Sequence, residues 1–325
     1  MSNFNPRIFE KDVEQAGTRD GYGQALLELG DSNKDVVVLT ADLAESTRVE
    51  EFGKKFPDRF IECGVAEQNM MGIAAGLALA GKIPFVSSYA VFSPGRSWDQ
   101  LRVSVCYTQA NVKVAGAHTG ISVGPDGATH QALEDIAIVR VLPNIVVEVP
   151  CDAIEAKKTT LVAAAHKGPF YFRFGREKTP IITTEEAPFE VGKAEILKDG
   201  DDVTIVACGP LVYQSLLAAK QLEVKGINVR VINNHTIKPI DTLTLAKAAK
   251  ETGAIVTVEE HQVMAGMGAA VAESLAKNYP VPMEFIGMQD TFGESGNTTE
   301  LYEKYGMSVD AIFKAVENVL KRKNR

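Results

Sequence analysis

Two stretches of the chain concentrate residue types that do chemistry. Gly116-Ala117-His118-Thr119-Gly120-Ile121-Ser122-Val123-Gly124-Pro125-Asp126-Gly127-Ala128-Thr129-His130 gathers two of the five histidines, an aspartate and four glycines. Imidazole exchanges protons near neutral pH, and glycine lets backbone approach a ligand closely. This mixture marks a functional loop rather than a plain connection. A metal site in the chain is not expected: His118 and His130 lack ligand-like spacing, and no cysteine or second carboxylate pair completes a shell. The second stretch surrounds Glu67, which opens the apolar, small-residue run Glu67–Ala80. Its carboxylate could handle a proton at a packed interface, or simply complement a helix dipole. The other histidines, His166, His235 and His261, read as helix-end or loop residues with surface or capping roles.

These residues need a scaffold, and the hydrophobic pattern supplies one. Strands are expected at Asp35–Leu39, Pro84–Ala90, Val112–Ala115, Ile145–Val149 and Phe170–Phe174, with helices at Glu67–Ala80, Ser97–Tyr107 and from the N-cap Asp152 to about His166. After a strandless stretch, Thr179–Gly192, a second series has strands at Val203–Ala207, Val229–Ile232, Ala254–Val258 and Met283–Ile286. Its helices are Leu211–Val224, Thr242–Glu251, Gly268–Lys277 and Ser308–Arg322. The alternation predicts two α/β domains, 1–187 and 188–325, each a mainly parallel sheet flanked by helices. Ligands of such sheets bind beyond the carboxyl ends of strands. That singles out Thr40–Ser46, Gly64–Met70, Ser88–Phe92 and the histidine loop.

With 325 residues and 45% hydrophobic composition the chain can bury a sizeable core. A net charge of −8 argues against nucleic acid or an anionic membrane as partner. The basic end, Lys321-Arg322-Lys323-Asn324-Arg325, reads as a solvated helix terminus. Met1–Gly17 is too polar for a secretory signal, and the apolar run Gly72–Gly81 is too short to span a bilayer. The four cysteines form no CxxC pair and sit among apolar residues, as reduced core cysteines of a cytoplasmic protein do.

The stretches GVAEQNMMGIAAGLALAG, AHTGISVGPDGATHQALEDIAIVRVLPNIVVEVP and DTFGESGNTTELYEKYG together resemble the pyrimidine-binding and C-terminal domains of transketolase, over nearly the whole chain. The resemblance implies thiamine diphosphate as cofactor. Glu67 matches the glutamate that hydrogen-bonds the pyrimidine and favours the imino tautomer that takes the thiazolium proton, and its mostly apolar surroundings are expected to favour the protonated carboxyl. Tyr89 and Phe92 match the aromatic pair flanking the ring, with Tyr89 where many relatives have Phe. Asp42 matches a loop aspartate near the cofactor, and His130 a histidine near its amino group and the reacting carbonyl. For the sugar, His118 matches a histidine near the hydroxyls, and Asp126 the aspartate that reads the donor hydroxyl beside the carbonyl. Arg19, Ser46 and Arg176 match the phosphate set, although Arg173 lies close enough to compete with Arg176 for that register.

The diphosphate-binding signature of the family, a GDG with a later Asn pair, has no counterpart; Asp199-Gly200-Asp201 and Asn233-Asn234 stand in the second domain in the wrong register. The resemblance therefore implies a split enzyme. The cofactor diphosphate and its Mg²⁺ or Ca²⁺ would be held by an N-terminal partner subunit, in a heterotetramer transferring two-carbon units between sugar phosphates of the pentose phosphate pathway. Half of a 1-deoxyxylulose-5-phosphate synthase, or the beta subunit of a 2-oxo acid dehydrogenase decarboxylating component, is the alternative. Ser97-Trp98-Asp99-Gln100 and Glu259-Glu260-His261-Gln262 lean that way.

Overall fold

The computed structural model describes residues 4–323. Met1–Asn3 of the polar N-terminus and Asn324 and Arg325 of the basic tail lie outside the described residues.

The first unit runs through β1 (Gln15–Gly17), α1 (Thr18–Ser32), β2 (Val36–Thr40), α2 (Glu50–Lys55), β3 (Phe60–Glu62), α3 (Glu67–Leu79) and β4 (Ile83–Tyr89). It continues with α4 (Trp98–Gln100), which widens into a π-helical stretch over Leu101–Tyr107, then β5 (Lys113–Ala117), α5 (Asp135–Arg140), β6 (Val146–Glu148), α6 (Ala153–Ala165), β7 (Phe170–Phe174) and β8 (Lys178–Pro180). The second unit comprises β9 (Glu195–Lys198), β10 (Val203–Ala207), α7 (Leu211–Val224), β11 (Val229–Asn233), β12 (Thr236–Lys238), α8 (Thr242–Thr252), β13 (Ile255–Gln262), α9 (Met267–Asn278), β14 (Met283–Met288), α10 (Thr298–Lys304) and α11 (Val309–Lys323).

Runs such as Val-Val-Val-Leu-Thr in β2 and Phe-Tyr-Phe-Arg-Phe in β7 are buried at every position, because helices cover both faces of a parallel sheet. The larger sheet has the order β12-β6-β7-β5-β4-β2-β3. It is parallel except for β12, which belongs to the second unit and joins β6 antiparallel. The order reverses at β2, whose neighbours β3 and β4 lie on opposite sides, so a crevice opens between the carboxyl ends of β2 and β4. The smaller sheet has the order β14-β13-β10-β11-β9, with β9 antiparallel.

The expected α/β architecture is present, with local corrections. The stretch from Thr179 is not strandless: β8 pairs antiparallel with β1. Three-residue strands containing Gly or Pro carry too little pattern to be read. Helix α1 is also illegible, because Gly21, Gly23 and Gly30 resemble turn residues. At Gly21 the reason is close approach: an added Cβ would stand 2.0 Å from the Ala153 carbonyl oxygen on α6. Of the histidines expected at surfaces or helix ends, His166 caps α6, whereas His235 and His261 are buried, the latter within β13. All four cysteines are free thiols. No described helix is long and apolar enough to cross a membrane.

The joint between the units holds a buried polar group. Glu148 on β6 accepts a hydrogen bond from Thr236 Oγ1 at 3.0 Å, and burial pushes its carboxyl up to about 8. His235 Nδ1 is 4.0 Å away, but burial lowers that imidazole to about 4, so the two do not form an ion pair at neutral pH. The native state favours neutral Glu148, so its contribution to stability is full below the unfolded value near 4.5 and is lost as pH rises to about 8. His235 acts oppositely, but only below its ordinary value of 6.5. Between pH 6.5 and 8 the Glu148 effect stands unopposed by His235, and the melting temperature is expected to fall across that window. Glu148→Gln should flatten part of this slope; an unchanged slope would mean that Glu148 is already ionised in the fold.

Candidate functional site

The site assembles at the crevice. Glu67 is the first residue of α3 and is 3% exposed. Its surroundings are not mostly apolar, as the sequence led us to expect. Arg96 places Nη1 3.1 and 3.2 Å from the two carboxylate oxygens, and its guanidinium lies 4.2 Å from the centroid of the Phe92 ring. Arg96 therefore ties the carboxylate to the aromatic wall, a charge-assisted contact backed by cation–π attraction.

That wall begins where β4 ends. The rings of Tyr89 and Phe92 are stacked with centroids 5.8 Å apart and planes 20° apart. His118 leaves the end of β5 in a left-handed conformation (φ 54°) and stacks on Tyr89 at 3.9 Å. Burial first, then the nearby Arg19, Arg176, His130 and Arg48, lowers its imidazole to about 3, so it works as a neutral group. Its Nδ1 is buried without a partner. His130 meets both aromatic rings edge-on, at 6.0 Å from Tyr89 and 5.4 Å from Phe92, and its Nδ1 shares a 2.9 Å hydrogen bond with Thr129 Oγ1.

A cationic group flanks the wall. Arg19, in the first turn of α1, donates through Nη1 to the Ser46 carbonyl at 3.1 Å, while its Nε is buried with no partner. Arg176 donates to the Val123 carbonyl at 3.2 Å and pairs with Asp126 at 3.1 Å. Arg173 does not compete for this place. It is buried, ion-paired with Asp135 at 2.9 Å, and donates to the carbonyls of Ala132 and Glu260. Asp42 takes a left-handed turn beyond β2, its N–H donating to Glu62 Oε1 at 2.8 Å, and its side chain is exposed. Among the described residues no group of three or more His, Cys, Asp or Glu could hold a metal ion.

The histidine loop is held by the second unit, which the sequence did not reveal. Glu260 on β13 accepts from the Ser122 N–H at 3.2 Å and from Ser122 Oγ at 3.0 Å, and also bonds the Tyr302 hydroxyl. Gly120 (φ 77°) must lack a side chain, since a Cβ would lie 2.4 Å from Glu260 Oε2. Gln131 Nε2 donates to the Ile121 and Glu294 carbonyls, and Gly296 N–H to Gly124 at 3.4 Å. Behind the loop, a cavity of about 540 Å³ is lined by Ser122, Lys178, Tyr213, Thr298 and Tyr302 among others, and by none of the residues of the aromatic wall. Glu260 and its partners lie far apart in sequence, which leaves no local pattern to read. Arg96 does carry a weak signal, standing four residues after Phe92.

A neutral imidazole, two parallel rings and a buried carboxylate form a slot edge suited to a flat heteroaromatic ring, and the adjoining guanidinium groups suit an anion. The transketolase pyrimidine-binding domain model matches residues 14–181, and the transketolase C-terminal domain model residues 192–312. The chain belongs to the transketolase family, whose members use thiamine diphosphate. It is 42% identical to the 6-deoxy-6-sulfo-D-fructose transketolase subunit of Clostridium sp. (strain MSTE9), over 97% of this chain and 98% of the relative. To an apulose-4-phosphate transketolase subunit of Phocaeicola vulgatus it is 41% identical, over 94% and 97%. A solved structure described as a split gene transketolase, inactive beta4 tetramer, is 46% identical and superposes with a TM-score of 0.88, covering 95% of this chain and all of that one.

Replacing Glu260 by Ala should release the loop. Amide hydrogen exchange over residues 120–131 is expected to accelerate, by about 10-fold or more for a lost charged hydrogen bond, while β5 keeps its protection. Unchanged exchange in the loop would show that Glu260 does not hold it.

Proposed function

We propose that this chain is the C-terminal subunit of a two-chain transketolase, reversibly transferring a two-carbon ketol unit from a ketose phosphate to an aldose phosphate. The observation that carries the reading is the convergence of Glu67, the Tyr89–Phe92 stack and the unpartnered His118 Nδ1 beside a cluster of arginines. These residues fit the pyrimidine half of thiamine diphosphate. The cofactor supplies the carbanion chemistry that makes and breaks the carbon–carbon bond.

The chain's own residues have separable tasks. Tyr89 and Phe92 orient the pyrimidine by offset stacking. Glu67 holds a proton at a ring nitrogen, and Arg96 steers its carboxylate. His130, edge-on to both rings, would move a proton to or from the donor carbonyl oxygen. Neutral His118 bonds sugar hydroxyls. Asp126 accepts the hydroxyl beside the donor carbonyl, and Arg19, Ser46 and Arg176 grip the terminal phosphate; Asp42 lines the cofactor rim. Residues 1–187 would thus carry the chemistry and residues 188–325 support it.

The cofactor diphosphate and its Mg²⁺ or Ca²⁺ belong, in this reading, to an N-terminal partner subunit, with two copies of each chain in a heterotetramer in the cytoplasm. Two facts support a partner chain: the match to relatives of about the same length that are named as subunits, and a similar chain described as an inactive tetramer. The named relatives act on 6-deoxy-6-sulfo-D-fructose and on apulose 4-phosphate, so a substrate outside the common pentose phosphates is the second reading. The segments that lean toward 2-oxo acid dehydrogenases are occupied structurally. The Trp98 indole donates to the Ile138 carbonyl at 2.7 Å, Glu259 accepts from the Met267 and Gly268 amides at the start of α9, and Glu260 holds the loop.

The purified chain, given thiamine diphosphate, Mg²⁺, xylulose 5-phosphate and ribose 5-phosphate, is expected to be folded and inactive. Robust turnover without a second chain would end the split-enzyme reading. With the partner present, Asp126→Ala should lower kcat/KM for xylulose 5-phosphate by about 10²-fold or more, because a site built to bond a hydroxyl discriminates strongly. Hydroxypyruvate, which lacks that hydroxyl, should lose much less; equal losses would leave Asp126 as a loop-shaping residue.

A further inference from the structure

We infer that Arg48 is a third arm of the anion site, gripping the phosphate end of the sugar together with Arg19 and Arg176. The inference rests on the sugar-phosphate reading above and adds a residue to it. Arg48 lies two residues after Ser46, in the turn between β2 and α2, with a left-handed backbone (φ 65°). A non-glycine residue is uncommon there, and such a conformation persists only where the surroundings enforce it. They do. The Arg48 N–H donates to the Glu45 carbonyl at 3.1 Å, and Val49 N–H closes the turn on Ala44 at 2.9 Å. Helix α1 makes room with Gly23, where a Cβ would lie 2.8 Å from the Arg48 carbonyl oxygen and 2.9 Å from its Cβ.

The side chain is aimed as firmly as the backbone. Arg48 Nε donates to Asp20 Oδ1 at 2.8 Å, and Asp20 Oδ2 accepts the Gly17 N–H at 3.1 Å. Asp20 adjoins Arg19, whose guanidinium reaches back to Ser46. The bond to Asp20 uses Nε, so it does not consume the two amino ends of the fork, the part that matches phosphate oxygens.

Charge accounting then calls for an anion. Arg48 has Asp20, and Arg176 has Asp126, with Glu177 at 3.9 Å, beyond hydrogen-bond reach. Arg19 has only a neutral carbonyl, and its Nε is buried without a partner. Its pKa is lowered first by burial and then by repulsion from Arg48, with Arg176 adding a smaller part, so Arg19 lies in the field of both. A terminal phosphate, doubly charged near neutral pH and rich in acceptor oxygens, relieves that repulsion and satisfies the free donors.

The test uses the assembled two-chain enzyme and compares Arg48→Gln, Arg48→Lys and Arg19→Gln with wild type. Each is assayed with xylulose 5-phosphate plus ribose 5-phosphate, and with hydroxypyruvate plus glycolaldehyde, a pair without phosphate. For Arg48→Gln, KM on the phosphorylated pair should rise about 10-fold or more, with at least a several-fold smaller loss on the other pair. Arg48→Lys should recover part of the loss, keeping the charge but not the fork. If Arg19→Gln shows the selective loss and Arg48→Gln does not, the inference falls and the phosphate end stands. If neither variant is selective, the sugar-phosphate reading itself fails, and the inference with it.

Discussion

The contact on which the site depends is the one between Glu260 and Ser122. A carboxylate buried in the second unit receives both the amide and the hydroxyl of a loop residue from the first, and a tyrosine hydroxyl besides. Burying such a group is costly unless its acceptor sites are filled, and this network fills them. Once Ser122 is fixed, the glycine-rich loop has one path, from His118 just past the end of β5 to His130 opposite the aromatic pair. The order of the site is thus imposed from a sheet that contributes none of the wall's residues.

Charge at the crevice follows a common rule. Glu67 has Arg96, Asp126 has Arg176, and Arg48 has Asp20. Each functional charge is held in place by a protein partner before any ligand enters, so little side-chain freedom remains to be lost on binding. Arg19 breaks the rule, and His118 beside it is kept neutral first by burial and then by the surrounding positive charge.

Much of this was legible in the sequence, for physical reasons that can be named. Buried parallel strands are continuous apolar runs, so β2, β7 and β10 declare themselves, and the amphipathic α11 shows its inward residues Ile312, Val316 and Val319 at helical spacing. The loop with His118, Asp126 and His130 was conspicuous through composition. What stayed hidden depends on distance in the chain or on close approach. Helix α1 is masked by the glycines that let it pack on α6. Arg173 and Arg176 look equivalent three residues apart until the strand carries one inward to Asp135 and leaves the other at the sheet's carboxyl end. Glu259, Glu260 and His261 form a charged motif whose uses, a helix cap, a loop anchor and a buried ring, appear only once their partners are in place.

The strand β12 has a mechanical meaning. It leaves the second unit to complete the sheet of the first, and one hydrophobic cluster runs through both, including Val147 on one side and Ile232, Ile237 and Leu245 on the other. The two units are therefore stitched rather than hinged. Cutting the chain near residue 188 and parting the pieces would strip β6 of its outer neighbour and bare a row of unpaired amides and carbonyls, the kind of edge along which proteins aggregate. Sequence divides this chain into two modules, but its hydrogen bonds make it a single mechanical body.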